Sequence, residues 1–94
     1  AHGAKVAIAE ASALGGTCVN LGCIPKKLLM YAADFAHDFI DARGYGWTTP
    51  DSIPFSWKSL IENKNKEIAR LNGIYKTVLE KPGVKILHGF AQFK

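Results

Sequence analysis

The sequence has 94 residues, of which 48% are hydrophobic and 21% charged, and its net charge at pH 7 is +4. A chain of this length has room for one small core rather than two, and its apolar content excludes a disordered chain. Acidic residues lie between the lysines and arginines, which favours a solvated surface over a nucleic-acid patch. No apolar run approaches the roughly 18 residues of a membrane span. Neither a nucleic acid nor a membrane is therefore expected as a partner.

The first predicted element is a strand over residues 5–10, which read KVAIAE. A short apolar run that ends in an acid is typical of a buried parallel strand. An irregular loop that holds both cysteines is predicted next, since glycines allow unusual backbone conformations. The glycines that frame this loop and the cysteines within it are Gly15, Gly16, Gly22, Cys18 and Cys23.

A first long helix is predicted from Pro25 to Ala42. Proline is favoured in the first turn of a helix, and Gly44 supplies a stop. Residues 43–55 contain two glycines and two prolines, so they form a surface connection.

A second long helix is predicted to begin at Ser56 or Ser59. Ser59 and Glu62 fit a capping box, and the Pro-Gly pair at 82–83 ends the helix. Apolar residues form one stripe along it: Ile61, Ile68, Leu71, Tyr75 and Val78. The alternation over residues 84–93 then predicts a strand.

The predicted order is strand, cysteine loop, helix, helix, strand, which favours an α/β fold with a parallel sheet. Two strands do not make a stable sheet alone, so further strands are expected to complete it.

The two cysteines are the residues that carry chemistry. Cys23 lies two positions before Pro25, beside the unpaired N–H groups and positive dipole end of the predicted helix. Lys26 and Lys27 add positive charge in the same turn, where the dipole disfavours cations. Both effects favour the Cys23 thiolate, the form that attacks disulfides. Cys18 is near enough in sequence to form a disulfide with it.

Other uses of a cysteine pair fit the sequence less well. A zinc site needs two further ligands, and no pair of histidines has the usual spacing; a plant-type iron–sulfur cluster needs a third cysteine. A structural disulfide in a non-enzymatic α/β module remains the alternative, although it leaves the lysines and the helix start unexplained. A redox-active dithiol without a bound metal is predicted.

Residues 15–27, GGTCVNLGCIPKK, resemble the redox-active signature of the pyridine nucleotide–disulfide oxidoreductases. KVAIAE is similar to the second strand of that family's FAD domain, and RLNGIYKTVL with VKILHGFAQF resembles its second helix and following strand. The resemblance covers nearly the whole chain. It implies that residues 1–94 are a partial Rossmann-like FAD-binding domain that lacks the N-terminal strand and glycine fingerprint.

The resemblance implies FAD as a cofactor and assigns residues to it. Glu10 matches the acid that binds the adenosine ribose, because a carboxylate accepts hydrogen bonds from both ribose hydroxyls. Gly16, Thr17 and Cys18 match the loop that lies along FAD, and Lys26 matches a lysine near the flavin N5.

The resemblance also implies the catalytic roles. Cys18 corresponds to the interchange thiol that attacks the substrate disulfide, and Cys23 to the charge-transfer thiol beside the flavin. Tyr75 matches a tyrosine of the substrate site. No role is predicted for Asn20 or for the tryptophans and histidines.

The remaining parts of such an enzyme are expected outside this chain. The glycine fingerprint lies about 20 residues before the ribose acid, which places it before Ala1. The family's NADPH domain and dimerisation domain have no counterpart here. The latter implies a homodimer whose partner subunit supplies a His–Glu acid–base pair.

The expected substrate is glutathione disulfide. Lys26 and Lys27 resemble glutathione, trypanothione and thioredoxin reductases rather than lipoamide dehydrogenases, and the run 71–75 fits glutathione reductases best. Trypanothione and thioredoxin reductases remain alternatives. Without a visible signal peptide, the cytosol is the predicted compartment, with an organellar form as the alternative.

Overall fold

The computed structural model describes residues 2–94. In chain order its elements are strand β1 (Ala7–Glu10), helices α1 (Gly16–Leu21) and α2 (Cys23–Asp41), a 3₁₀ helix (Ala42–Tyr45), helix α3 (Trp57–Glu80) and strand β2 (Lys85–His88). The two long helices between two strands confirm the predicted α/β character.

The two strands pair in parallel, as the strand–helix–helix–strand order predicts. Ala7 lies opposite Lys85 and Glu10 opposite His88. Both strands are shorter than the predicted ranges of 5–10 and 84–93. β2 ends at His88, and the next residue is Gly89, which has a φ of 152° and whose N–H donates to the Glu10 carbonyl at 2.9 Å.

The predicted irregular cysteine loop is wrong, because both cysteines lie in helices. Cys18 lies within α1, and Cys23 is the first residue of α2. Gly15, with φ of 109°, gives the chain the left-handed turn that starts α1. Pro25 follows in the first turn of α2, where its missing N–H costs no intrahelical hydrogen bond.

The ends of the long helices differ slightly from the prediction. The chain continues past α2 as a 3₁₀ turn, and the residue that stops it is Gly46, with φ of 87°, rather than Gly44. The predicted start of α3 at Ser56 is confirmed, since its hydroxyl accepts from the Ser59 N–H at 3.2 Å. The predicted capping box of Ser59 with Glu62 is therefore wrong.

The described residues form an elongated body rather than a closed core. Its extents are 62 × 27 × 17 Å and its radius of gyration is 20.0 Å, whereas a compact domain of this length has about 12 Å. Val19 is the one buried hydrophobic side chain within residues 2–94 apart from Pro25. β1 was predicted to be buried, yet Ile8 is exposed, and Leu87 of β2 is exposed too. These residues by themselves leave the sheet uncovered.

Replacement of Ser56 by alanine is expected to loosen the first turn of α3. The Ser59 amide loses its acceptor, which costs about 1 kcal/mol and raises its hydrogen-exchange rate roughly fivefold. Exchange measured by NMR or mass spectrometry checks this. Ser59→Ala is the matched control, because Ser59 gives the cap only its backbone N–H. Faster exchange in Ser59→Ala than in Ser56→Ala would contradict the assignment.

Candidate active site

The cysteine pair lies where α1 and α2 meet. Gly22 alone separates the two helices, and a Cβ atom placed on it would lie 3.1 Å from the Thr17 carbonyl oxygen and 3.3 Å from Cys18 Cα. Such contacts are tighter than side chains normally make, so the close approach of α2 to the Cys18 backbone depends on glycine at this position. Cys18 and Cys23 are both free thiols and both exposed. The predicted pair is thus brought together at an accessible position.

The two thiols influence one another. The side-chain hydrogen bond with Cys23 is the main cause that raises the pKa of Cys18 above its ordinary value of 9.0, and reduced solvation and the charge of Cys23 act in the same direction. The Cys23 backbone N–H and the Lys26 charge oppose this rise. A negative charge is therefore disfavoured at Cys18.

Lys26 is the third predicted catalytic residue that the structure brings to the pair. Its side chain is exposed, and its backbone N–H donates to the Gly22 carbonyl at 3.0 Å. The first turn of α2 contains no acidic residue that would neutralise it. Lys27 instead holds its ammonium 5.7 Å from the centre of the Tyr31 ring, a cation–π contact away from the thiols.

Glu10 lies at the carboxyl end of β1, the edge of a parallel sheet where ligands usually bind. Its Oε1 accepts from the Ser12 N–H at 2.9 Å, which fixes the half-buried carboxylate. Among the described residues nothing hydrogen-bonds the other carboxylate oxygen. Gly16 and Thr17 are exposed at the start of α1, and a Cβ on Gly16 would meet no atom within 4 Å. The space next to Gly16 is therefore open.

Tyr75 is placed on α3 with 41% of its surface exposed. No hydrogen bond within residues 2–94 joins Tyr75 or Glu10 to the cysteine pair. Nor does any group of three His, Cys, Asp or Glu side chains in that range lie close enough to hold a metal ion. No helix of the described chain is both long and apolar enough to cross a membrane.

Asn20 was given no role from the sequence, yet its amide ties the cysteine segment together. Its Nδ2 donates to the carbonyl oxygens of Gly16 at 2.9 Å, Leu14 at 3.2 Å and Ala13 at 3.4 Å. The amide thus links α1 to the chain before it. The signal available in the sequence was its position two residues after Cys18, where a polar side chain can bond to nearby backbone groups.

Asn72 is the second residue that the sequence reading missed. Its Nδ2 donates to the Leu14 carbonyl at 2.7 Å and to Asn20 Oδ1 at 2.8 Å. Asn72 lies four residues after Ile68, on the predicted apolar face of α3. An amide on such a face must find hydrogen-bond partners. That requirement is the signal by which Asn72 could have been identified from the sequence.

Known proteins resemble the chain over nearly its whole length. It is 54% identical over 91 residues to a glutathione reductase of Burkholderia cepacia, which covers 97% of the chain. It is 51% identical over 76 residues, 81% of the chain, to the chloroplastic/mitochondrial glutathione reductase of Pisum sativum. It is 46% identical over 90 residues, 96% of the chain, to a glutathione reductase of Nostoc. The chain belongs to the pyridine nucleotide–disulfide oxidoreductase family. No family model matches it.

The matches to this family cover only part of each relative. The chain spans 20% of the length of the Burkholderia protein, 14% of the pea protein and 19% of the Nostoc protein. The family resemblance seen in residues 15–27 is confirmed by these identities, which extend over only a part of each relative. Because the pea relative is named as an organellar protein, the cytosolic location stays a prediction.

Alanine at position 22 is expected to move the two cysteine-bearing helices apart. The new Cβ meets backbone atoms of Thr17 and Cys18 at 3.1 and 3.3 Å, which must give way by some tenths of an ångström. Closure of the Cys18–Cys23 disulfide by an added oxidant should then slow several-fold, as measured by thiol trapping and mass spectrometry. Gly44→Ala, where a Cβ meets no atom within 4 Å, is the control. Equal rates in both variants would refute the constraint.

The pH dependence of Cys18 alkylation tests the interaction between the thiols. The thiolate is the reactive form, and Cys23 raises the pKa of Cys18, so Cys23→Ala should shift the midpoint of iodoacetamide labelling at Cys18 to lower pH. Cys23→Ser keeps a hydroxyl partner and should shift it less. The labelling rate is followed by mass spectrometry from pH 6 to 11. A midpoint that stays in place or moves to higher pH contradicts the interaction.

Proposed function

We propose that the chain is the part of an FAD-dependent disulfide reductase that carries the redox-active dithiol, and that the whole protein uses NADPH to reduce glutathione disulfide. The observation that carries the proposal is the exposed pair of Cys18 and Cys23, held at the junction of two helices in a chain 54% identical to a glutathione reductase. A stable structural disulfide would gain nothing from exposure beside a lysine, whereas a pair that exchanges with a substrate requires access.

Residues 1–94 are proposed to be part of the FAD-binding domain. Support comes from the parallel pairing of β1 with β2 and from the share of about a fifth that the chain represents in its relatives. The NADPH domain and the dimerisation domain then belong to other parts of the protein, which would act as a homodimer. Cytosol is the proposed compartment.

The described residues fit an FAD molecule chemically. Glu10 has one carboxylate oxygen fixed by the Ser12 N–H and a second one open to a ribose hydroxyl. Gly16 and Thr17 offer exposed backbone at the start of α1, and Lys26 offers a cation for the electron-rich ring. When bound, FAD would supply two-electron transfer between the nicotinamide cofactor and the cysteine pair.

The cysteines perform the thiol–disulfide exchange. Cys18 Sγ attacks one sulfur of glutathione disulfide, so a Cys18–glutathione bond forms, the substrate S–S bond breaks, and one glutathione leaves as a thiol once it has gained a proton. Cys23 Sγ then attacks Cys18 Sγ, which releases the second glutathione and closes the Cys18–Cys23 disulfide. The dithiol is thereby oxidised by two electrons as the substrate is reduced to two thiols.

The raised pKa of Cys18 fits this order of events. A thiol that holds its proton at neutral pH attacks slowly unless a base removes the proton. An acid–base pair from the partner subunit would meet this need and would later protonate the leaving glutathione. Lys26 assists, since its charge lowers the pKa of Cys18 against the effect of Cys23.

The substrate is proposed to contact α3 through Tyr75. Tyr75 is partly exposed, with 41% of its surface accessible, which leaves part of the residue available to a ligand. Glutathione disulfide carries several carboxylates, and the basic first turn of α2 complements them electrostatically.

Serine variants of the cysteines in the full-length protein separate the two roles. With Cys23→Ser, Cys18 should form a stable mixed disulfide with glutathione, since no second thiol resolves it; mass spectrometry should show one added glutathionyl group at Cys18. Cys18→Ser should show none at Cys23. Both variants should lose at least roughly 10³-fold in NADPH-dependent turnover, while each keeps the flavin absorbance of the unchanged protein.

Three results would contradict the proposal. Glutathione addition at Cys23 but not at Cys18 would exchange the two roles. A full-length protein that binds no flavin would refute the cofactor. Turnover of thioredoxin or of a bis-glutathionyl polyamine disulfide in preference to glutathione disulfide would keep the redox pair but change the substrate.

A further inference from the structure

The side-chain hydrogen bonds of Asn72 connect α3 directly to the segment that carries Cys18. We propose that Asn72 and Asn20 form a positioning pair that sets the place of Cys18 relative to Cys23. The inference rests on the proposed function only in taking Cys18 as the attacking thiol. Asn72 contacts neither thiol, and it acts through Asn20 and the backbone of residues 14–16.

Helix α1 needs such a connection because it is weakly held by its own residues. It has six residues, Gly16–Leu21, and no side chain caps its N-terminus. A helix of that length is unstable by itself in water. Val19 is its one buried side chain within the described residues. The orientation of α1, and with it the position of Cys18, depends on contacts from outside the helix.

The two amides supply those contacts in a connected set. Asn72 uses both N–H groups of its amide, one for Leu14 O at 2.7 Å and one for Asn20 Oδ1 at 2.8 Å. Asn20 accepts that bond and donates in turn to Gly16 O at 2.9 Å. Both side chains are half-buried. A partly buried amide with every N–H paired has one favoured orientation, since any other leaves a polar group unsatisfied.

Only an amide fills the place of Asn72. A carboxylate of the same shape has no hydrogen to donate and would face two oxygen acceptors. An apolar side chain would leave Asn20 Oδ1 without its donor and Leu14 O with only the longer bond from Asn20 Nδ2 at 3.2 Å. The geometry therefore requires a side chain that donates two hydrogen bonds at this position.

The length and the contacts of α3 allow it to fix the position of the Cys18 thiol. It is 24 residues long, Trp57–Glu80, and it contacts α1, α2 and β2. Tyr75 follows Asn72 by three residues, and residues with this spacing lie on the same side of a helix. The helix proposed to contact the substrate is thus the one that fixes the attacking sulfur, so that a single rigid element sets both.

The test uses the full-length protein with Asn72→Leu, Asn20→Leu and the double variant. In a dithiothreitol redox buffer, quenched with an alkylating agent, the equilibrium of the Cys18–Cys23 disulfide should shift roughly tenfold towards the dithiol in each single variant, because misplaced thiols meet less often. The kcat for glutathione disulfide should fall by a similar factor while the KM for NADPH stays unchanged. The double variant should resemble either single variant, because the two amides act as one unit.

Asn65→Leu is the matched control, since Asn65 is exposed on α3 and makes no side-chain hydrogen bond within the described residues. It should leave the equilibrium and kcat unchanged. Asn20→Asp keeps an oxygen for Asn72 but loses the bond to Gly16 O. It serves if the leucine variants do not fold, and it too should shift the equilibrium towards the dithiol.

The outcomes separate the two proposals. An Asn72→Leu protein that folds and matches Asn65→Leu in equilibrium and kcat overturns the positioning role, as does a double variant whose effect is the product of the two single effects. An unshifted equilibrium in a folded Asn20→Asp protein does the same. If the unchanged protein reduces no glutathione disulfide but Asn72→Leu shifts the thiol equilibrium, the substrate proposal fails and the positioning role stands.

Discussion

The hydrogen bonds from Asn72 to Leu14 O and Asn20 Oδ1 are the interaction on which the arrangement of the site depends. They are the only side-chain hydrogen bonds within residues 2–94 that join parts of the chain more than 50 positions apart. Val19 is the one buried side chain of α1 among the described residues, so hydrophobic packing alone does not fix the orientation of this helix. The hydrogen bonds of the two amides fix the orientation of α1, because directional polar contacts specify an orientation more sharply than apolar contacts do.

The chemistry of the Cys18–Cys23 pair follows from two local features. Gly22 lets the start of α2 approach the backbone of Cys18, which places the thiols together. The interaction with Cys23 then keeps a proton on Cys18, while Lys26 limits that effect. The site thus combines a thiol whose pKa is raised with a second exposed thiol next to it. Such asymmetry suits a pair whose members have different tasks in disulfide exchange.

The sequence predicted the elements well where strong local rules apply. Pro25 and Ser56 marked helix starts because proline lacks an N–H and serine accepts from one. The parallel strand pairing followed from the order of the elements. The cysteines and Lys26 were predicted as neighbours, since they lie within nine residues of one another and the family signature adds further weight.

What the sequence did not reveal arises from contacts distant along the chain. The region of Cys18 reads as a glycine-framed loop, and its helical form depends on the burial of Val19 and on the amide of Asn20. The pairing of Asn20 with Asn72 spans 52 positions and leaves no periodic pattern. Burial of β1 was predicted from its apolar run, but the residues that would cover it are not among those described.

The separation of the cysteines and Asn72 along the chain also determines when the contacts between their segments can form during synthesis. A ribosome adds about 5–20 residues per second, so roughly 2–10 s separate the synthesis of Cys23 from that of Asn72. During that interval the two thiols belong to a nascent segment that α3 does not yet restrain. With the positioning role proposed for Asn72, the two thiols reach their final arrangement only once α3 has been made.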